Sequence, residues 1–198
     1  MNLDVLLPLA LFALVSSITP GPNNLMLMAS GANYGLRRSI PHMLGISAGF
    51  SVMMILTGLG LHQVFERFPV SYTLLKILSV AYLLYLAWRI ATAAPIKERD
   101  AKGRPMTFLQ AAAFQWVNPK AWAMALTSIT VYIADNGTLL LVIGAVFFAI
   151  VNLPSVTLWT VMGQQMARFL TNPVRLRVFN WTMATLLVLS LYPLLQMG

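Results

Sequence analysis

Polar side chains are sparse along this chain, and their placement divides it into six apolar segments, roughly 3–31, 40–61, 72–92, 107–133, 138–165 and 178–196. Runs of about 20 apolar residues are the signature of membrane-crossing helices. The only long polar connection is APIKERDAKGRPM at 94–106, close to the middle of the chain. The pattern predicts an all-α integral membrane protein of six transmembrane helices. Two three-helix units, 1–93 and 107–198, would flank a linker at 94–106.

Two segments are too long for a straight crossing. Residues 3–31 would make a helix of about 43 Å, and 107–133 one of about 40 Å, against a hydrocarbon core of about 30 Å. Each contains the residues that break helices best. The first reads SSITPGPNNLMLM from Ser16 to Met28, the second FQWVNPKAWAMAL from Phe114 to Leu126. Thr19 before Pro20 and Asn118 before Pro119 both read as an N-cap followed by the first helical position. Each break would then start a new half-helix inside the membrane.

Sliding the chain by 99 residues, half of its 198, lays Pro20 on Pro119, Thr19 on Asn118 and Gly45 on Gly144. With three spans per half, the first and fourth helices run in opposite directions, so the pattern predicts a 3+3 inverted repeat. Paired breaks in such repeats commonly build the substrate site near the midplane. Uncapped backbone N–H groups are costly in lipid, so the breaks should face a cavity or protein. Both positive half-helix ends would point to the middle, an arrangement that suits an anion. Gly21 would leave room for close backbone approach.

Composition agrees with the pattern. The chain is 59% hydrophobic and only 9% charged, where globular domains carry about 25% charged residues. The first segment holds Asp4 and no basic residue, unlike the basic start of a signal peptide. The net charge of +8 follows the connections rather than a nucleic-acid face, so no nucleic-acid partner is expected. Arg37, Arg38, Arg89, Lys97, Arg99, Lys102, Arg104, Arg168, Arg175 and Arg177 fall on one side, and Arg67 and Lys76 on the other. That bias places the basic connections in the cytoplasm and both termini outside.

Lys120 is the one lysine or arginine deep within a predicted span. An ionisable group there marks function by default, and near the break it would offer a positive charge to a carboxylate. Its alternative is to snorkel or to pair with a backbone carbonyl. Asn23, Asn24, Gln115 and Asn118 supply neutral donors and acceptors, or serve helix–helix hydrogen bonding. The candidate substrate-binding set is Thr19, Pro20, Gly21, Pro22, Asn23, Asn24, Gln115, Asn118, Pro119 and Lys120. Asn152 and Pro154 form a hinge or a packing kink. GISAG at 45–49 fits close helix packing, within the chain or in a homodimer. Tyr82 and Tyr85 line a pathway or anchor an interface.

Enzyme chemistry has little to stand on. There are no cysteines, and His42 and His62 lie at opposite ends of one span, about 30 Å apart along a helix. Asp4, Glu66, Glu98, Asp100 and Asp135 all fall near span ends or in loops. No catalytic residues, metal site or cofactor are expected.

TPGPNN at 19–24, GANYGLRRS at 31–39, GISAGF at 45–50 and VNPKAW at 117–122 resemble the LysE/RhtB family of bacterial amino-acid exporters, over nearly the whole chain. TPGPNN in this setting is the specific element. The resemblance implies a secondary transporter in the bacterial inner membrane, surrounded by lipid, exporting amino acids or their derivatives by proton antiport. The sparse charge at the breaks favours a small neutral substrate of the threonine, homoserine, leucine or cysteine type, since a dibasic one would need acidic partners at depth. Coupling would use Lys120, an acid at a span edge, or substrate exchange alone. A solute channel and a non-transporting membrane scaffold are the competing functions.

Overall fold

The computed structural model describes residues 3–61, 63, 67–93, 104–133 and 137–192. Among them every regular element is helical. In chain order these are α1 (Leu3–Ile18), α2 (Pro22–Leu56, ending in a π-helical turn Thr57–Leu61), α3 (Pro69–Ala91) and α4 (Phe108–Phe114, ending in a 3-10 turn Gln115–Val117). Then come α5 (Pro119–Thr127, ending in a π-helical turn Ser128–Ile133), α6 (Gly137–Met166) and α7 (Pro173–Leu189). Three are long and apolar enough to cross a membrane by length and composition: Pro22–Leu61, Thr73–Ala91 and Gly137–Met166. Most of the central linker and the ends of the chain, with His62, Glu66, Lys97, Glu98, Arg99, Asp100, Lys102 and Asp135, lie outside the described residues.

α2 is two helices joined at Gly35, whose φ of 76° and ψ of 169° interrupt the helical run. Glycine adopts that conformation without the penalty a Cβ would bring. Ser30 and Ser39 share a hydroxyl hydrogen bond of 2.8 Å, although nine residues of straight helix would hold them about 13 Å apart. The chain therefore folds back at Gly35. The Leu36 N–H, at the start of the second part, donates to Gln164 Oε1 at 2.6 Å. The second segment thus begins at Leu36 rather than at 40, because one glycine suffices for a turn expected to need a polar loop.

Other boundaries move for similar local reasons. The last helix starts at Pro173, not 178, because Asn172 accepts from the Val174 N–H and Pro173 fills the first helical position. The third begins at Pro69 rather than 72.

The most extensive interface joins α2 to α6. Its closest point is a crossing of Gly31 and Gly163, where an added Cβ would strike the backbone of Thr160 and of Met28 respectively. GISAG serves packing within the chain: Gly45 faces Phe108 and Ala111, and Gly49 faces Ala112. The buried apolar residues form two main clusters. One gathers Leu25, Leu83, Phe114, Phe179 and Leu187; the other gathers Leu9, Ala13, Phe50, Ala121 and Phe148. Both interrupted segments pass from one cluster to the other across their breaks.

Candidate functional site

The first break lies between α1 and α2. Its helix restart differs from the expectation of Thr19 as N-cap and Pro20 as first residue. Gly21 is the N-cap, in fully extended backbone, and Pro22 is the first helical residue. The reason lies in the second proline: the α region is disfavoured for a residue before proline, so Gly21 stays extended and Pro22, with its preset φ, starts the helix. Thr19 and Pro20 form the exposed link, whereas Gly21, Pro22 and Asn24 are buried.

Ending a helix at Ile18 leaves carbonyls without intrahelical donors, and side chains from other segments cover them. The Thr19 N–H donates to Val15 O at 3.1 Å, and Thr19 Oγ1 donates to Ser16 O at 3.0 Å. Asn24 Nδ2 donates to both Ser17 O and Thr19 O, each at 2.8 Å. Trp159 Nε1, from α6, donates to Ile18 O at 3.0 Å. Asn24 therefore acts as a C-cap for the preceding helix while sitting in the first turn of the next.

The second break behaves as expected. The Asn118 side chain accepts from the Lys120 N–H at 3.2 Å, and Pro119 starts α5. Asn118 is buried, and the capping box of Thr107 and Gln110 opens the preceding short helix.

The two breaks meet. The Lys120 ammonium donates to Thr19 O at 2.7 Å, to Thr19 Oγ1 at 2.9 Å and more weakly to Pro20 O at 3.4 Å. In this structure the ammonium therefore pairs with backbone carbonyls. Its charge sits at the C-terminal, negative end of α1, so the first break presents a cation-binding end beside the anion-binding start of α2. Gly21 makes this possible, since a Cβ there would lie 2.6 Å from Lys120 Cδ.

A second tie joins α2 to the turn after α4. Asn23 Nδ2 donates to Gln115 Oε1 at 2.9 Å, and Gln115 Nε2 donates back to Asn23 Oδ1 at 3.1 Å. Gln115 is fully buried and also donates to Ala111 O at 2.9 Å. Of the predicted set, Gly21, Asn23, Asn24, Asn118 and Lys120 line one cavity, Thr19 and Pro20 bond Lys120, Gln115 bonds Asn23, and Pro22 and Pro119 start the two helices.

Three further residues belong to the cluster. Asn152, expected as a hinge or kink residue, accepts from Ser47 Oγ at 2.9 Å and lies 3.4 Å from Ser17 Oγ. All three are buried. Lone polar residues in the middle of apolar spans were the available signal. Ser17, Gly21, Asn24, Asn118, Lys120 and Asn152 line one small cavity of about 20 Å³, room for about one water molecule. No metal-binding group of three or more ligating side chains occurs among the described residues.

A family model described as LysE type translocator matches residues 14–192. The chain is 32% identical over 122 residues to the "Cysteine/O-acetylserine efflux protein" of Escherichia coli (strain K12), a match covering 62% of each chain. It has the same identity and coverage with the proteins of that description from Shigella sonnei (strain Ss046) and Shigella flexneri. The chain thus matches less than two thirds of the length of these relatives. No solved structure matches it.

Proposed function

The chain belongs to the LysE type translocator family, and from that premise we propose that it is a secondary transporter exporting small neutral amino acids or their derivatives across the bacterial inner membrane, by proton antiport. The observation that carries the reading is the junction of the two breaks, where Lys120 bonds the Thr19 carbonyl across 101 residues of sequence. An ionisable side chain from one interrupted apolar segment, brought to the interrupted backbone of another, is the expected form of a transport site. The printed description of the relatives, cysteine and O-acetylserine efflux, draws the substrate class toward short polar neutral amino acids.

The geometry suggests how a zwitterion would be recognised. Lys120 and the carbonyls of Thr19 and Pro20 form a cation–acceptor pair closed upon itself. An amino acid could enter by exchange: its carboxylate takes Lys120 and the start of α5, and its ammonium takes the vacated carbonyls at the end of α1. The substrate's ammonium replaces that of Lys120 at the carbonyls, and its carboxylate replaces those neutral carbonyls at Lys120, so neither group is left unpaired, which would cost about 1–3 kcal/mol or more. The cavity at the junction has room for about one water, so admitting an amino acid requires the Lys120–carbonyl pair to open.

The architecture belongs to the same proposal: six spans in a 3+3 inverted repeat, residues 1–93 and 107–198 joined by the cytoplasmic linker 94–106, with both termini outside. Contacts across the chain support it. Gly45 faces Phe108, and Gly144 faces Leu9; adding 99 to 45 and to 9 gives 144 and 108. Each half's second helix thus packs on the first helix of the other half. The paired helix starts, Pro22 and Pro119, are 119 − 22 = 97 residues apart, so the repeat would carry a two-residue offset at the breaks.

The test is uptake into proteoliposomes of radiolabelled O-acetylserine, cysteine, threonine, homoserine and leucine, with and without an imposed pH gradient. Saturable uptake accelerated by the gradient is expected. Uptake stimulated only by preloaded substrate would replace antiport by exchange. No uptake by folded protein would leave the scaffold function.

A further inference from the structure

A larger cavity lies apart from the breaks, at the opposite ends of the helices that lead to them. It measures about 350 Å³ and is lined by Ser30, His42, Tyr82, Tyr85, Arg89 and Arg104, among others. Binding sites for small molecules begin at about 300 Å³, so it has the size that the junction of the breaks lacks. The first part of α2 forms one wall, from Met26 to Asn33. Asn33 stands eleven residues beyond Pro22, about 16 Å along the helix.

His42 is the unusual member. It is 2% exposed, and neither ring nitrogen has a hydrogen-bond partner among the described residues. Buried polar atoms are nearly always paired, so an imidazole with both nitrogens open beside a cavity is short of a ligand. A neutral imidazole offers one donor and one acceptor, and a protonated one two donors. Arg89 supplies a guanidinium held by the Tyr85 hydroxyl at 3.0 Å, and Arg104 a second on the extended segment entering α4. Among the described residues, the other titratable groups around the cavity are Tyr34, Tyr82 and Tyr85, and none of its lining side chains is a carboxylate.

We infer that this cavity is a second amino-acid site on the basic side of the protein, which takes a substrate by its carboxylate before it reaches the breaks. Arg89 and Arg104 attract the carboxylate, His42 supplies the buried polar contact, and the tyrosine rings accommodate a short uncharged side chain. The site rests on the transport reading for its ligand class and on the cavity itself for its position.

The chain contains no cysteine, so Asn33→Cys places a single thiol in the wall. Its rate of labelling by a fluorescent maleimide is measured on purified protein, with O-acetylserine, threonine or leucine present. One of them should slow labelling about tenfold at ten times its dissociation constant, because only unoccupied protein reacts. The slowing should persist in Lys120→Met and be largely lost in Arg89→Gln and in His42→Phe. If His42→Phe fails to fold, Arg89→Gln, on an exposed residue, decides the matter. Unslowed labelling with all three amino acids would overturn the site. So would slowing that vanishes in Lys120→Met yet survives in Arg89→Gln, for that would report a change at the breaks. Transport assayed on the same preparation separates the two readings: uptake without protection removes the cavity site and leaves the exporter.

Discussion

Replacing Lys120 with methionine removes a charge while keeping most of the apolar stem. In the folded protein it deletes the bonds to Thr19 O, Thr19 Oγ1 and Pro20 O. Two of these acceptors lose little. Thr19 O still receives Asn24 Nδ2, and Thr19 Oγ1 still donates to Ser16 O. The structural loss should therefore be close to that of one charge-assisted hydrogen bond, about 1.5–3 kcal/mol, less whatever the lysine loses by leaving water. On the proposed mechanism transport has no substitute for it, because Lys120 is the one lysine or arginine among the described residues lining the cavity. Losing a charged partner for the carboxylate, at about 1.5–3 kcal/mol, should raise KM for the preferred amino acid roughly 10- to 150-fold. Initial uptake rates in proteoliposomes over a range of concentrations measure it, with thermal unfolding in detergent as the control for folding. A KM within about twofold of wild type, in folded Lys120→Met, would show that the carboxylate does not use this ammonium. The charge-exchange mechanism would then be wrong.

Further outcomes follow from the same geometry. Gly21→Ala puts a methyl 2.6 Å from Lys120 Cδ; the flexible side chain can yield, so the protein should fold but lose several-fold in uptake rate. Gly31→Ala pushes against the Thr160 backbone, which cannot yield; size-exclusion chromatography should show little folded protein. Asn23→Ala and Gln115→Ala each leave a partner amide short of a bond, at about 1–3 kcal/mol. The double variant should cost less than the sum by about 0.5–3 kcal/mol, read from unfolding midpoints, and strict additivity would mean the pair is not coupled. Competition assays should find that a simple carboxylate or a simple amine inhibits uptake at least tenfold more weakly than a zwitterion, since each replaces only one half of the Lys120–carbonyl pair.

The features legible in the sequence were those with steric causes. Proline and its neighbours announce a helix start, so both breaks and the Asn118 cap could be read directly. The two-residue error at the first break came from stopping at Pro20, although Pro22 already disfavoured a helical Gly21. A connection was legible between the segments ending at 31 and starting at 40, but not its form: the surrounding residues suit a helix, and the reversal is seen in the φ of 76° at Gly35 and in the pairing of Ser30 with Ser39. The roles of Ser17, Ser47 and Asn152 could not be read from spacing: each is an ordinary polar residue until three helices bring them together. The same holds for Asn24, whose two carbonyl acceptors precede it in sequence and become neighbours only because the chain bends at the break.

The protein holds a charged contact beside a cavity with room for about one water, and this arrangement bears on the energetics of transport. A lysine left free there would need water, and so would the bare end of α1; each answers the other's need. An exporter built this way would not have to empty its site between cycles, because the resting pair occupies it. Exchange of a substrate for that pair is close to balanced in charge and hydrogen bonds, so small differences can decide which amino acid is carried. Short neutral side chains would be favoured by space alone, with Phe50, Ile46 and Met124 around the cavity. A dibasic substrate would bring a second ammonium, and among the described residues lining the cavity no carboxylate stands to receive it. Selection for a zwitterion then follows from Lys120 and the Thr19 carbonyl, and selection against extra charge from the apolar wall behind them.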